Sequence, residues 1–223
     1  MTIFSTMNKL LKSPDASIEN GRLRSAQSFE FLAGAILCYA AYAAAAGTFQ
    51  AGGASIALAI LKIPMIIIAS VALCVPSFYV FTAVAGADHS ARDMATLLSA
   101  FCGIAGLLLL GLMPVTWVFS ISSRSLAFVV WMHIVVWLIA IVAARHYLVR
   151  LTGSRFGLAI GCWITIVFLV SLQMTTSLRP VLWRAPNQPL FTRAKMSFFE
   201  HIGEVWTWHE SKATAQVVKG APR

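Results

Sequence analysis

The sequence predicts an all-α fold, a polytopic membrane helix bundle of about five transmembrane helices followed by a C-terminal interfacial amphipathic helix. Three observations carry this expectation. Of 223 residues, 59% are hydrophobic and only 11% are charged, against roughly 25% charged in an average soluble domain. The charged residues gather outside five long apolar runs, at about 29–47, 63–86, 95–119, 126–145 and 156–177. Each run is near the roughly 20 residues that cross about 30 Å of hydrocarbon at 1.5 Å per residue. A helix satisfies its own backbone in lipid, whereas an open sheet does not, and the runs are about twice the length of barrel strands.

Residues 1–28 form a polar N-terminal segment. It carries Lys9, Lys12, Arg22 and Arg24 against Asp15 and Glu19, and it lacks a short apolar stretch followed by a small-residue cleavage site, so it is expected to remain in the protein. The excess of Lys and Arg places this end in the cytoplasm of a bacterial inner membrane. The five-helix domain is expected over 29–180. Its first run, "AGAILCYAAYAAAAG", is rich in Ala, and "GTFQAGGASIALAILK" leaves room for an interfacial or re-entrant piece between Gly47 and Lys62. Five spans put "DHSARD" and "RHYLVRLTGSR" on the N-terminal side and the loops around Lys62 and Arg124 on the other. The C-terminal tail, with Arg179, Arg184, Arg193 and Lys195, falls on that second side and runs against the charge rule.

Within the runs, Pro64 suits a first helical turn, while Pro76 and Pro114 lie inside spans, remove interior hydrogen bonds and are expected to kink them. Gly157 and Gly161, four apart in "GLAIG", and Ala41 with Ala45 form small-residue faces for close helix packing. Cys38, Cys74, Cys102 and Cys162 each occupy a different span, with no CxxC and no neighbouring His at ligand spacing, so they are expected as free buried thiols. Tyr39, Tyr42, Trp117, Trp131, Trp137 and Trp183 read as a partial aromatic belt, with Trp131, Trp137 and Trp163 equally suited to packing.

The polar inventory is thin. His133 is the one ionisable residue near a predicted mid-span, a functional candidate by default, set against a structural histidine bonded to a neighbour. Glu30, just inside the first run, reads as a boundary residue or as facing a polar gap towards Arg22 or Arg92. The stretch "SLQMTTSLRPVLW" reads as a helix leaving hydrocarbon, with Gln173 available to a neighbouring helix, Thr175 and Thr176 bonding nearby carbonyls, and Arg179 and Trp183 at the interface. Residues 181–210 are expected as an interfacial segment and amphipathic helix, with Phe198, Ile202, Val205 and Trp206 at helical spacing, and 211–223 as a tail. "HIGE" lacks the spacing of two-His zinc helices.

The combination "LKIPMIIIASVALCVPSFYVF", "GLMPVTWVF" and "QMTTSLRP" resembles a group of bacterial polytopic inner-membrane proteins, and the five-span plan is loosely similar to the Yip1-like class. That class's DLxGP-like signature has no counterpart in the early spans, so the resemblance implies an organising or partner-binding role without assigning residues. The chain lacks the GxxxxGK, GxGxxG, HExxH and GxSxG patterns. The functional expectation is therefore an accessory or scaffolding subunit of an integral membrane complex, with a small-solute or lipid transporter as the alternative, in which Pro76, Pro114, His133 and Gln173 line one cavity. No cofactor and no metal are expected. The expected partners are another membrane protein or further copies of the chain, together with anionic lipid headgroups. The net charge of +9 is dispersed at the ends of apolar runs instead of forming the basic stripe that nucleic acid needs.

Overall fold

The computed structural model describes residues 18–19, 22–23, 28–50, 53–86, 90–123 and 125–177. Helices dominate them: α1 (Ser28–Gly47), α2 (Gly53–Leu73), α3 (Val75–Val84), α4 (Ala91–Ser122), α5 (Leu126–Thr152) and α6 (Gly157–Ser177), with 3-10 turns at Thr48–Gln50 and Ser154–Phe156. A two-residue antiparallel pair, β1 (Ile18–Glu19) with β2 (Arg22–Leu23), precedes them. Among the described residues, five helices are long and apolar enough to cross a membrane, and α3 is a shorter apolar piece. This is a multi-pass membrane protein. The expected interfacial helix over 181–210, with Arg179 and Trp183, lies outside the described residues.

The second passage differs from the expectation. The apolar pattern upstream of Lys62 continues one helix from Gly53 to Leu73, so "GASIALAILK" is helical and Lys62 belongs to the span instead of a loop. Pro64 then sits inside α2, not in its first turn. Pro76 does not kink a continuous helix: the helix stops at Cys74, and α3 starts again with the proline in its first two positions, where a missing N–H costs nothing. Pro114 does lie inside α4, as expected. The start of α4 is fixed by a capping box, in which the Ser90 hydroxyl accepts from the Asp93 amide and the Asp93 carboxylate accepts from the Ser90 amide.

Three contacts set the directions of α1 and α4. The Ser28 and Thr96 hydroxyls share a hydrogen bond of 2.8 Å, the Tyr39 hydroxyl donates to the Cys102 carbonyl at 2.8 Å, and Gly106 lies against Ala35 and Cys38. Sequence order rises along both helices, so they run parallel. They can do so only if the intervening chain, α2 with α3, makes one return passage. At Gly106 an added Cβ would stand 3.2 Å from Cys38 Cβ and 3.3 Å from Ala35 Cα, which makes this a close backbone approach between α1 and α4. The small-residue faces named from sequence do different work. Ala45 is buried but Ala41 only partly so, and Gly161 accommodates the side chain of Arg145, whereas a Cβ at Gly157 would meet only Val149 Cγ1, at 3.8 Å.

The core centres on Trp163 of α6, which is fully buried. Its ring meets Phe78 of α3 at 4.7 Å and Phe101 of α4 at 5.4 Å between centroids. Its indole N–H donates to the Cys74 carbonyl at 2.8 Å, so one side chain joins three helices at the point where the second passage breaks.

Candidate functional site

The polar site that the fold assembles in its interior is the pair Tyr42 and His133. Tyr42 lies on the face of α1 that also buries Phe31, Ala35, Cys38 and Tyr39, a stripe at three- and four-residue spacing. His133 comes from α5 and is 9% exposed. The phenol oxygen and His133 Nδ1 are 2.5 Å apart, and the rings meet edge to face with centroids 5.6 Å apart. His133 Nε2 is buried and makes no hydrogen bond.

That geometry leaves one donor over in either tautomer. When the Tyr42 hydroxyl donates to Nδ1, the imidazole proton sits on Nε2 without an acceptor. When Nδ1 carries the proton and donates to the phenol oxygen, the phenol O–H is the unmet donor. A buried donor without an acceptor costs about 1–3 kcal/mol, so the pair is a local weak point of the described interior. Among the described residues, the other buried side-chain polar atom without a partner is Ser120 Oγ. The Phe119–Phe128 contact, at 5.7 Å between centroids, sets the antiparallel register of α4 and α5. Five residues further along each helix, Pro114 and His133 stand at one level, while Ser120 stands near the hairpin end.

The residues singled out in the sequence do not converge. Pro76, Pro114 and Gln173 are exposed, whereas His133 is buried. A cavity of about 20 Å³ lies between the five long helices, lined by Tyr39, Phe101, Leu109, Trp137, Val167 and Ser171 among others, and none of those four residues lines it. Glu30 is half-buried in the first turn of α1, where a negative charge complements the helix dipole. Thr175 bonds back to the Leu172 carbonyl at 2.6 Å, as expected for a helix nearing its end. No three His, Cys, Asp or Glu side chains among the described residues gather as a metal site.

Two assignments are corrected. Tyr39 and Tyr42 are buried core residues, their rings turned to neighbouring helices and not outward as in an aromatic belt. Cys38, Cys74 and Cys102 are buried free thiols, but Cys162 is exposed on α6. Trp117 and Trp131, at 45% and 50% exposed, stand at matching distances from the α4–α5 turn.

No family model matches the chain, and the searches of curated proteins and of solved structures likewise found no match.

Proposed function

We propose that the protein is an accessory or scaffolding subunit of an integral membrane complex, set in a bacterial inner membrane with its N-terminus in the cytoplasm. The observation that carries this reading is the dispersal of the polar and proline residues that a carrier would aim into one cavity: Pro76, Pro114 and Gln173 are exposed while His133 is buried, and none of the four lines the pocket of about 20 Å³ between the long helices. The outward faces of α2, α5 and α6 hold most of the residues of their spans and offer surface to lipid or to a neighbouring membrane protein. The orientation rests on Arg92, Arg150 and Arg155, which occupy the end of the bundle where α1 and α4 begin.

Gentle solubilisation from native membranes, followed by mass spectrometry of the intact assembly, tests the proposal. A stoichiometric second membrane chain is the expected result. A protein that purifies alone and, on reconstitution, supports a solute flux abolished by His133→Leu would replace the scaffold with a transporter.

A further inference from the structure

We infer that Arg145 is the anchor of a binding site for a phosphodiester headgroup of an anionic phospholipid, at the corner where α5 turns into α6. Arg145 lies inside the membrane-spanning stretch of α5, seven residues before its end at Thr152, which is roughly 10 Å of helix at 1.5 Å per residue. The side chain is half-buried, and its guanidinium rests over Gly161, where an added Cβ would stand 3.4 Å from both Nε and Nη2. One donor is used: Nη2 bonds the Gly157 carbonyl at 3.0 Å. A guanidinium has five N–H donors and does not lose its proton in proteins, so one neutral carbonyl satisfies a small part of it.

The missing counter-charge does not come from this hairpin. From residue 94 to residue 199 the sequence contains no Asp or Glu, so α5 and α6 carry Arg145, Arg150 and Arg155 with no acid between them. Arg155 is exposed and stacks on Phe156 with its guanidinium carbon 4.5 Å from the ring centroid, and Arg150 is exposed. The α5–α6 corner therefore carries three arginines in sequence and no acid. An unpaired charge held inside the apolar layer is costly, whereas a phosphate oxygen pair fits the planar fork bidentately. Gly161 leaves the space in which the fork lies against α6, and the Gly157 carbonyl holds it there. This site is independent of the scaffold reading.

The test uses the full-length protein in mild detergent, with native mass spectrometry titrated against phosphatidylglycerol, against phosphatidylcholine and against inorganic phosphate. The expected result is retention of phosphatidylglycerol at least tenfold over phosphatidylcholine, with Arg145→Gln removing the preference, Arg145→Lys keeping only part of it, and Gly161→Leu weakening it by displacing the guanidinium. Displacement of the lipid by millimolar inorganic phosphate would make the ligand a free anion and overturn the lipid assignment. Equal retention of both lipids by the unaltered protein, or an unchanged preference in Arg145→Gln, would overturn the site. Circular dichroism melting of each variant separates loss of lipid from loss of fold.

Discussion

Trp163 hydrogen-bonds the carbonyl oxygen of Cys74 across 2.8 Å, and that carbonyl also accepts from the Phe78 amide at 3.0 Å and the Ser77 hydroxyl at 2.8 Å. Three donors thus converge on the residue where α2 ends and α3 begins. Trp163→Phe keeps an aromatic ring among Phe78 and Phe101 but loses the indole donor, so it should cost about 1 kcal/mol. Trp163→Ala should cost about 3–5 kcal/mol through the cavity it opens. Thermal unfolding in one detergent should rank the two in that order, and a Trp163→Phe variant that melts with the unaltered protein would remove the indole bond from the account.

The Tyr42–His133 pair predicts non-additivity. Tyr42→Phe leaves Nδ1 without its partner, and His133→Leu leaves the phenol without its own, each costing about 1–3 kcal/mol. Changing both removes the polar pair altogether, and the double variant should be more stable than the sum of the single losses implies. A double-mutant cycle by unfolding that sums to zero coupling would mean that the pair contributes nothing as a pair.

Two glycines of α4 should respond oppositely. Gly106→Leu drives a side chain into Ala35 and Cys38 and should destabilise the α1–α4 contact by about 1–3 kcal/mol. Gly111 has nothing within 4 Å of an added Cβ, so Gly111→Ala should be neutral or stabilising by up to about 1 kcal/mol, the helix-propensity difference. Melting curves of the two variants give the comparison directly.

Thiol labelling should separate the cysteines. Cys162 is exposed, while Cys38, Cys74 and Cys102 are buried. An apolar maleimide should modify a single thiol in the folded protein and all four after denaturation, and mass spectrometry of the intact chain counts them. Prompt modification of a second cysteine would contradict the packing of α1, α2 and α4.

The topology gives a fifth expectation. Reporter or single-cysteine accessibility at Ser90 and Gly153 should place both on one side of the membrane, with Thr48 and Ser123 on the other, because α1 and α4 run parallel and α2 with α3 forms one passage. Ser90 and Thr48 on the same side would break that arrangement.

The spans were legible because hydrocarbon imposes length and composition together. α1 and α6 begin and end close to the apolar runs that announced them. The second passage was less legible because Lys62 and Pro64 look like a boundary. A lysine stem crosses apolar surface to bring its charge outward, and a proline costs one hydrogen bond without ending a helix that packing holds, so both tolerate interior places. The break at Cys74 was signalled by Pro76 but not located by it, since a proline is equally at home in a kink and in a first turn. His133 was visible as a lone polar residue, but its partner Tyr42 was not: an aromatic with a polar tip suits an interface and a buried bond alike. Gly106 went unnoticed beside Gly157 and Gly161 because spacing alone cannot say which small face meets a backbone and which receives an arginine.

The parallel contact of α1 with α4 bears on how the chain is made. The hydrogen bond from Ser28 to Thr96 spans 68 residues, which a ribosome adding about 5–20 residues per second completes in roughly 3–14 s. During that interval the first helix is already in place while its principal neighbour is still unsynthesised, with the Tyr39 and Tyr42 hydroxyls deprived of Cys102 and His133. The Ala-rich first span thus waits for its partner, and it is the segment on which an insertion factor or an early-arriving neighbouring subunit would gain the longest hold.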